Sequence, residues 1–264
     1  MSLRADPERM RFTDRLDVIA ALILRDLMSR FGRNSLGFVW VVLEPMILTA
    51  GVMVIWSAIR PAVYHGVPIV AFVLTCYMPL TLWRHMTNPL IRILRNNFGL
   101  LHHRVIRHSD IIIARLVLEF LSTSAALAVV YFVLRSVGLA GDVANPGLML
   151  GAWLYTAWFF SGIGMLQSAW TERSELAEKF ITPSQYLALP ISGVFFMVGW
   201  MPGYAQKLLL LNPMVHCFEM FRAGYFGPSI ESHYDIAYLA VWCMISSTLG
   251  MAAIHLVRNQ IDNS

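Results

Sequence analysis

The chain has 264 residues, of which 57% are hydrophobic and only 14% charged, with a net charge of +4 and three cysteines. A soluble domain carries about 25% charged residues, and apolar runs of about 20 residues are each long enough to cross a hydrocarbon layer of roughly 30 Å, so a soluble helical core is excluded. The cations sit at the edges of apolar runs, which excludes a nucleic-acid surface, and Cys76, Cys217 and Cys243 lie apart in apolar segments without the pairing of a disulfide framework or a zinc site.

Asp6, Pro7 and Glu8 have the order of a helix start: an acidic cap, proline at the first helical position and an acid in the first turn. Downstream, Phe12, Leu16, Ile19, Ile23, Leu27 and Phe31 recur at intervals of three or four, with Arg11, Arg15, Asp17, Arg25, Asp26 and Arg30 mostly elsewhere around the wheel. The spacing predicts an amphipathic helix within residues 1–34, and the seven arginines before the first long apolar run suit a helix lying in the cytoplasmic interface. The stretch from Ser29 to Pro45 is where water ends and membrane begins. Arg30 and Arg33, beside Asn34, can reach anionic headgroups, while Gly32 and Gly37 let the backbone turn from a surface-lying segment into a spanning one.

Six spans are expected, at about 36–59, 67–89, 111–134, 148–170, 180–200 and 236–257. The first holds Glu44 before Pro45; a carboxylate at that depth faces protein or water. The second holds Pro79, with Arg84 and His85 toward its end, and the stretch 92–110 after it is too basic to span and predicts a short surface helix. In the third, Arg115 and Glu119 stand at i and i+4, a spacing that allows an ion pair. Asn145-Pro146-Gly147 marks a turn before the fourth span, and residues 171–179 read as a brief charged loop after it. Two apolar segments flank Asn212 and Pro213 within 201–226; runs that short read as re-entrant before the last span. With both termini cytoplasmic, sixteen of the twenty Lys and Arg residues fall on the inner side. The fold expected is therefore an all-α integral membrane domain over 1–264, with an amino-terminal interface helix, six transmembrane helices and a re-entrant helix pair on the periplasmic side.

No phosphate-cradling GxxxxGK[ST], HExxH or GxSxG pattern occurs, so the chain has no nucleotide or hydrolytic centre of its own. His102, His103 and His108 are close in sequence, but they read as a solvated basic loop and no metal site is expected. Trp40, Trp56, Trp83, Tyr155, Trp158, Phe159, Phe160, Trp170, Phe195, Phe196 and Trp200 belong either to an interfacial aromatic belt or, in part, to a conduit where flat rings stack on sugar faces.

This order of parts resembles the membrane subunit of type-2 ABC exporters. The run from Arg30 to Pro45, with Arg-Phe-Gly, then Leu-Gly, Trp and Leu-Glu-Pro, is similar to the signature of KpsM-type capsular polysaccharide exporters. Pro79, Asn97-Phe98-Gly99-Leu100, the stretch from Ile113 to Glu119, and Leu211 to His216 with Glu219 and Arg222 extend the likeness over nearly the whole chain, while Arg84 and the doubled His102-His103 depart from it. The resemblance implies a homodimer working with two copies of a separate ATPase, which would hold ATP and magnesium while this chain binds no cofactor. It implies a lipid-linked anionic polysaccharide crossing the bacterial inner membrane between the two subunits, and a periplasmic copolymerase beyond. A coupling helix would seat on the ATPase through Arg95, Asn97, Phe98, Gly99, Leu100, His102 and Arg104, and Asn212, Pro213, His216, Glu219 and Arg222 would form a periplasmic gate. Arg30, Arg33 and Asn34 would receive the lipid phosphate, and Trp40, Glu44, Trp56, Arg84, Arg115, Tyr155, Trp158, Phe195 and Phe196 would line the channel. An O-antigen or teichoic acid exporter, a drug or small-lipid exporter and a membrane-embedded glycosyl- or acyltransferase are the competing readings.

Overall fold

The computed structural model describes residues 12–31, 36–101 and 106–261. Helix α1 is Phe12–Phe31 and α2 is Leu36–Ile59. A hairpin of β1 (Val63–Tyr64) and β2 (Val67–Pro68) follows, its strands antiparallel with Tyr64 opposite Val67. The two residues between them, His65 and Gly66, both have positive φ, at 50° and 80°, the backbone that a tight hairpin demands and that glycine supplies without strain. Then come α3 (Ile69–Thr87), two single-turn helices α4 (Ile93–Asn96) and α5 (Phe98–Leu101), and the long α6 (His108–Ser136). The carboxy-terminal half contains α7 (Pro146–Arg173), α8 (Glu175–Ala188), α9 (Gly203–Leu209), α10 (Pro213–Phe226) and α11 (Ile236–Ile261).

Among the described residues, four helical stretches are long and apolar enough to cross a membrane: Ile69–Leu90, His108–Ser136, Pro146–Arg173 and Ile236–Val257. Met46–Ile59 of α2 is a further apolar stretch. Burial ranks their positions. The apolar window of α3 is 78% buried and that of α11 only 28%, so α3 is the central post and α11 an outer one. Helices α2, α6, α7 and α10 pack around α3, and α11 lies along α7.

Close helix approach explains several glycines. A Cβ on Gly164 would stand 2.4 Å from the Met86 carbonyl of α3, one on Gly162 would meet Ser246 of α11 at 2.5 Å, and one on Gly224 would meet Met149 of α7 at 2.4 Å. Small residues at such crossings let backbones touch, which is how spanning helices associate where lipid is as apolar as leucine. Ser246 then donates to the Phe159 carbonyl at 3.3 Å across the same seam.

The Asn-Pro pairs initiate helices. Asn145 accepts from the Leu148 amide at 3.0 Å and Asn212 from the Met214 amide at 3.0 Å, each with proline at the first helical position, so the expected turn at 145–147 is the cap of α7. Two other expectations are corrected. Residues 171–179 form no loop: α7 runs through to Arg173, and Ser174 alone separates it from α8. The helix expected over 180–200 starts earlier, at Glu175, and ends at Ala188; short 3₁₀ turns at Leu189–Ile191 and Val198–Trp200 replace its second half. The reason is local, since Pro190 lacks the amide needed to continue the ladder and Gly193 adopts a positive φ of 84°.

Candidate functional site

The broken segment 189–201 needs partners for its backbone, because non-helical carbonyls among apolar helices have no water to bond. Arg222 of α10 supplies them. Its side chain is 0% exposed, and its guanidinium donates to the carbonyls of Gly193 (2.8 Å), Val194 (2.5 Å) and Phe196 (2.6 Å) and to the Cys76 sulfur (3.4 Å). Glu219, one turn earlier, stands 3.6 Å from Arg222 and accepts from the amides of Val198 and His233 at 3.1 and 3.2 Å. His216 accepts the Asp235 amide on Nδ1 at 2.9 Å, so it is Nε2–H that donates to the Leu210 carbonyl at 2.8 Å. Asn212 also donates to the Ile191 carbonyl at 2.9 Å. The residues grouped by sequence as a gate therefore form a buried clamp, with Pro213 opening its helix, that fixes residues 191–198 and the approach to α11.

That clamp holds Phe195 at one wall of a groove of about 760 Å³. The other walls come from α2 (Glu44, Leu48, Val52), α3 and the turn after it (Tyr77, Leu80, Thr81, Arg84, His85, Asn88, Pro89), α6 (Glu119) and α8 (Tyr186) with Leu189. Arg84 lies over the Tyr186 ring at 5.2 Å, a cation–π contact across the groove. Trp56 stacks on Phe195 with centroids 6.3 Å apart and tilts against Phe72 at 6.0 Å. Chemically the groove offers flat rings, a guanidinium in a ring contact and two carboxylates, groups that can stack on sugar faces and bond their hydroxyls.

A line of charges joins this groove to α1. Asp26 of α1 takes Arg115 of α6 at 3.3 Å, and Arg115 approaches Glu119 at 3.1 Å through its Nε, the i, i+4 pair expected from spacing. Glu119, whose side chain is 2% exposed, meets His85 Nδ1 at 2.6 Å. A carboxylate so buried is tolerable only when paired on more than one side.

The basic stretch after α3 is docked by acids of the segment 171–179, which is helical apart from Ser174. Glu172 Oε1 accepts from the Leu94 and Arg95 amides at 2.9 and 3.2 Å, capping α4, while Arg95 donates to the Glu172 carbonyl at 3.1 Å and reaches Glu175 at 3.6 Å. Arg92, held in a left-handed conformation (φ 53°), sets its Nε 3.0 Å from Glu178. Arg25 of α1 donates to Asn97 at 2.7 Å, and Asn97 donates back to the Ile93 carbonyl at 2.8 Å. Phe98 and Gly99 are exposed and Leu100 half-buried. Thus α1, α4, α5 and the α7–α8 junction make one surface at the end of the bundle remote from the α9–α10 clamp.

Of the sequence-selected channel residues, Glu44, Arg84 and Phe195 line the groove, Trp56 backs it, and Arg115 reaches it through Glu119. Phe196 contributes its carbonyl to Arg222. Tyr155 and Trp158 stand elsewhere: they stack on one another at 6.1 Å on α7, and Trp158 donates to Ser247 of α11 at 2.9 Å. Arg33, Asn34, His102, His103 and Arg104, and the side chains of Arg30 and Trp40, lie outside the described residues. Sequence reasoning omitted Asp26, His85, Glu119, Tyr186 and Glu172 from the site. The usable signal was charge inside or against a span, where every ionisable group needs a partner.

Comparison with known proteins places these features in a family. The profile of the ABC-2 type transporter matches residues 17–226. The chain is 36% identical over 237 residues to the capsule polysaccharide export inner-membrane protein CtrC of Neisseria meningitidis, covering 90% of this chain and 89% of that one. It is 33% identical to the corresponding protein BexB of Haemophilus influenzae, with the same coverage, and 24% identical to the polysialic acid transport protein KpsM of Escherichia coli, covering 89% and 91%. A bundle of apolar helices, a charge-paired surface at one end and a profile match running from α1 through α10 agree: this chain belongs to the ABC-2 type transporter membrane family.

Proposed function

We propose that this chain is the membrane subunit of an exporter that moves a lipid-linked anionic polysaccharide, of capsular type, across the bacterial inner membrane. The observation that carries the reading is the groove at Glu44, Arg84, His85, Glu119, Tyr186 and Phe195, joined by ion pairs through Arg115 to Asp26 on α1. Two copies pair across the exposed faces of α2 and α8, where Leu48, Val54, Leu187 and Ile191 are exposed, so that the two grooves face one conduit. Aromatic walls let successive sugars slide, and Arg84 meets their anionic groups.

The motor is a separate ATPase, two copies per dimer, seated on α4, α5 and α1. Closure of the ATPase pushes on the Arg25–Asn97 contact and the Glu172 cap, and α8 moves with them because Ser174 alone separates it from α7. Arg30 and Arg33 receive the lipid phosphate at the cytoplasmic mouth by charge-assisted hydrogen bonds. Both termini are cytoplasmic, α8 with residues 189–201 completes a broken fifth crossing, and α9 and α10 form the re-entrant pair facing a periplasmic copolymerase. Supporting this reading are the names of the relatives and the polarity of the two ends of the bundle.

The test is to purify the full chain with its co-purifying ATPase and identify the retained glycolipid, then to compare Arg84→Ala and Arg30→Ala/Arg33→Ala with the parent. Both variants should assemble with the ATPase and export less surface glycan. Undiminished glycan, or transport by a solitary monomer, overturns the proposal.

A further inference from the structure

A second concavity lies on the opposite flank of α6. It measures about 930 Å³ and runs between α6 and α7, with Phe120 and Phe132 on one wall, Leu150 on the other, and Trp153 with Phe221 of α10 at its floor. The two helices touch each other sparingly here, and each packs on α3 instead. The floor has no polar demand left over, because the Trp153 indole N–H is satisfied by Ser124 at 2.8 Å. The walls are open to the bilayer: Phe132 is 65% exposed and Leu150 59%.

The charged side chains of the lining lie at one end. Arg135 pairs with Asp142 there and donates to the Tyr131 hydroxyl at 3.4 Å, and that hydroxyl donates to the Gly141 carbonyl at 3.3 Å. Both charged side chains keep much of their surface in the open, at 44% and 80%. From Arg135 down to Phe120 is about 15 residues, roughly 22 Å of helix at ~1.5 Å per residue. Half of a hydrocarbon layer of roughly 30 Å is about 15 Å, so the concavity has the depth of one leaflet plus its headgroup zone.

We infer that this concavity is a binding site for a phospholipid with a zwitterionic phosphoethanolamine headgroup, drawn from the leaflet remote from α1, the outer one in the orientation proposed above. An acyl chain fills the space between α6 and α7, the phosphate sits on Arg135 and the ammonium on Asp142. The fixed cation–anion pair matches a zwitterion better than an anionic headgroup, whose phosphate gains Arg135 but whose net charge meets Asp142 with nothing to offset it. The bound lipid wedges α6 from α7, so that α6 takes its support from α3 and α1.

The site is separable from the transport groove, and its test is independent of export. The full chain is placed in vesicles of mixed phosphatidylethanolamine and phosphatidylglycerol in which the acyl chains of one lipid at a time are brominated, and the quenching of Trp153 is taken as the difference between the parent and Trp153→Phe. Trp153 quenching should be roughly threefold stronger when phosphatidylethanolamine carries the bromine, and Arg135→Gln/Asp142→Asn should level the two. Equal quenching by both lipids in the parent overturns the headgroup assignment. Absence of quenching by either, with the other tryptophans quenched normally, shows a protein surface covering the concavity and overturns the site. If Trp153→Phe does not fold, retention of phosphatidylethanolamine over phosphatidylglycerol on the unmodified chain, read by native mass spectrometry, decides the same question.

Discussion

Replacing Arg222 with methionine tests the clamp. The guanidinium is wholly enclosed, and its removal strands three carbonyls of residues 193–196 and leaves Glu219, 1% exposed, without its cation. Breaking a buried pair by deleting one partner costs about 3–5 kcal/mol, and methionine returns some apolar packing against Phe72, over whose ring the guanidinium sits at 5.2 Å. A net loss of about 3 kcal/mol or more corresponds to a fall in Tm of roughly 6–12 °C for a chain of this size. Lysine at 222 should rescue little, because one ammonium does not reproduce a planar fork spread over three acceptors. Glu219→Gln/Arg222→Met should lose less than the sum of the single changes by about 1 kcal/mol or more, since it removes the orphaned charge. Thermal unfolding of the detergent-purified chain is the assay. A Tm within about 2 °C of the parent for Arg222→Met, or strict additivity in the double variant, refutes the clamp as the element that holds the broken segment.

Glu172→Ala should remove the cap of α4 and weaken the Arg95 contact, costing about 0.5–2 kcal/mol locally; ATPase binding in a pull-down persists while substrate-stimulated ATP turnover falls. Gly164→Val should fail to fold, because a β-branched side chain would have to displace the Met86 carbonyl, and the readout is loss of the monodisperse peak on size exclusion. Asp26→Asn should loosen α1 from α6 by releasing Arg115, detected as faster amide exchange in Phe12–Phe31 with α7 and α11 unchanged. Unchanged exchange in α1 would show that apolar packing alone holds it.

Much of the bundle was legible because a helix that must cross hydrocarbon advertises its length: the expected spans at 67–89, 111–134, 148–170 and 236–257 differ from the helices by only a few residues at each end. The i, i+4 spacing gave the Arg115–Glu119 pair for the same reason, since it depends on the helix alone. What failed depends on tertiary structure. A charged run after a span looks like a loop, yet Glu172, Glu175 and Glu178 are helical with Arg92 and Arg95 lying across from them, partners about eighty residues away in sequence. The break at residue 189 was hidden by the strong apolar character of 180–200, and the irregular backbone there is satisfied from outside its own segment, by Arg222 and Glu219 of α10 and by Asn212 at its cap. His216, Glu219 and Arg222 share one helix, but spacing within it gives no hint that their partners include backbone atoms of the segment after α8 and of the approaches to α10 and α11.

Two of the buried acids, Glu119 and Glu219, differ in what they face. Glu219 accepts from backbone amides of segments at the clamp end, so moving it would dismantle the fold around it, and that end behaves as a fixed abutment. Glu119 faces side chains, Arg115 on its own helix and His85 on α3, and Arg115 in turn takes Asp26 from a third element. Side-chain pairs can exchange partners over a few ångströms where backbone bonds cannot. A displacement of α1 by about 1–2 Å, the scale of helix shifts at regulated interfaces, would stretch the Asp26–Arg115 contact from 3.3 Å past ion-pair range and release Arg115 toward Glu119. His85, on the groove wall, would then share its carboxylate with a closer guanidinium. Motion delivered at the α1 end would therefore be converted into a change of charge pairing at the groove, while the Arg222 clamp would keep the far wall, with Phe195, in place.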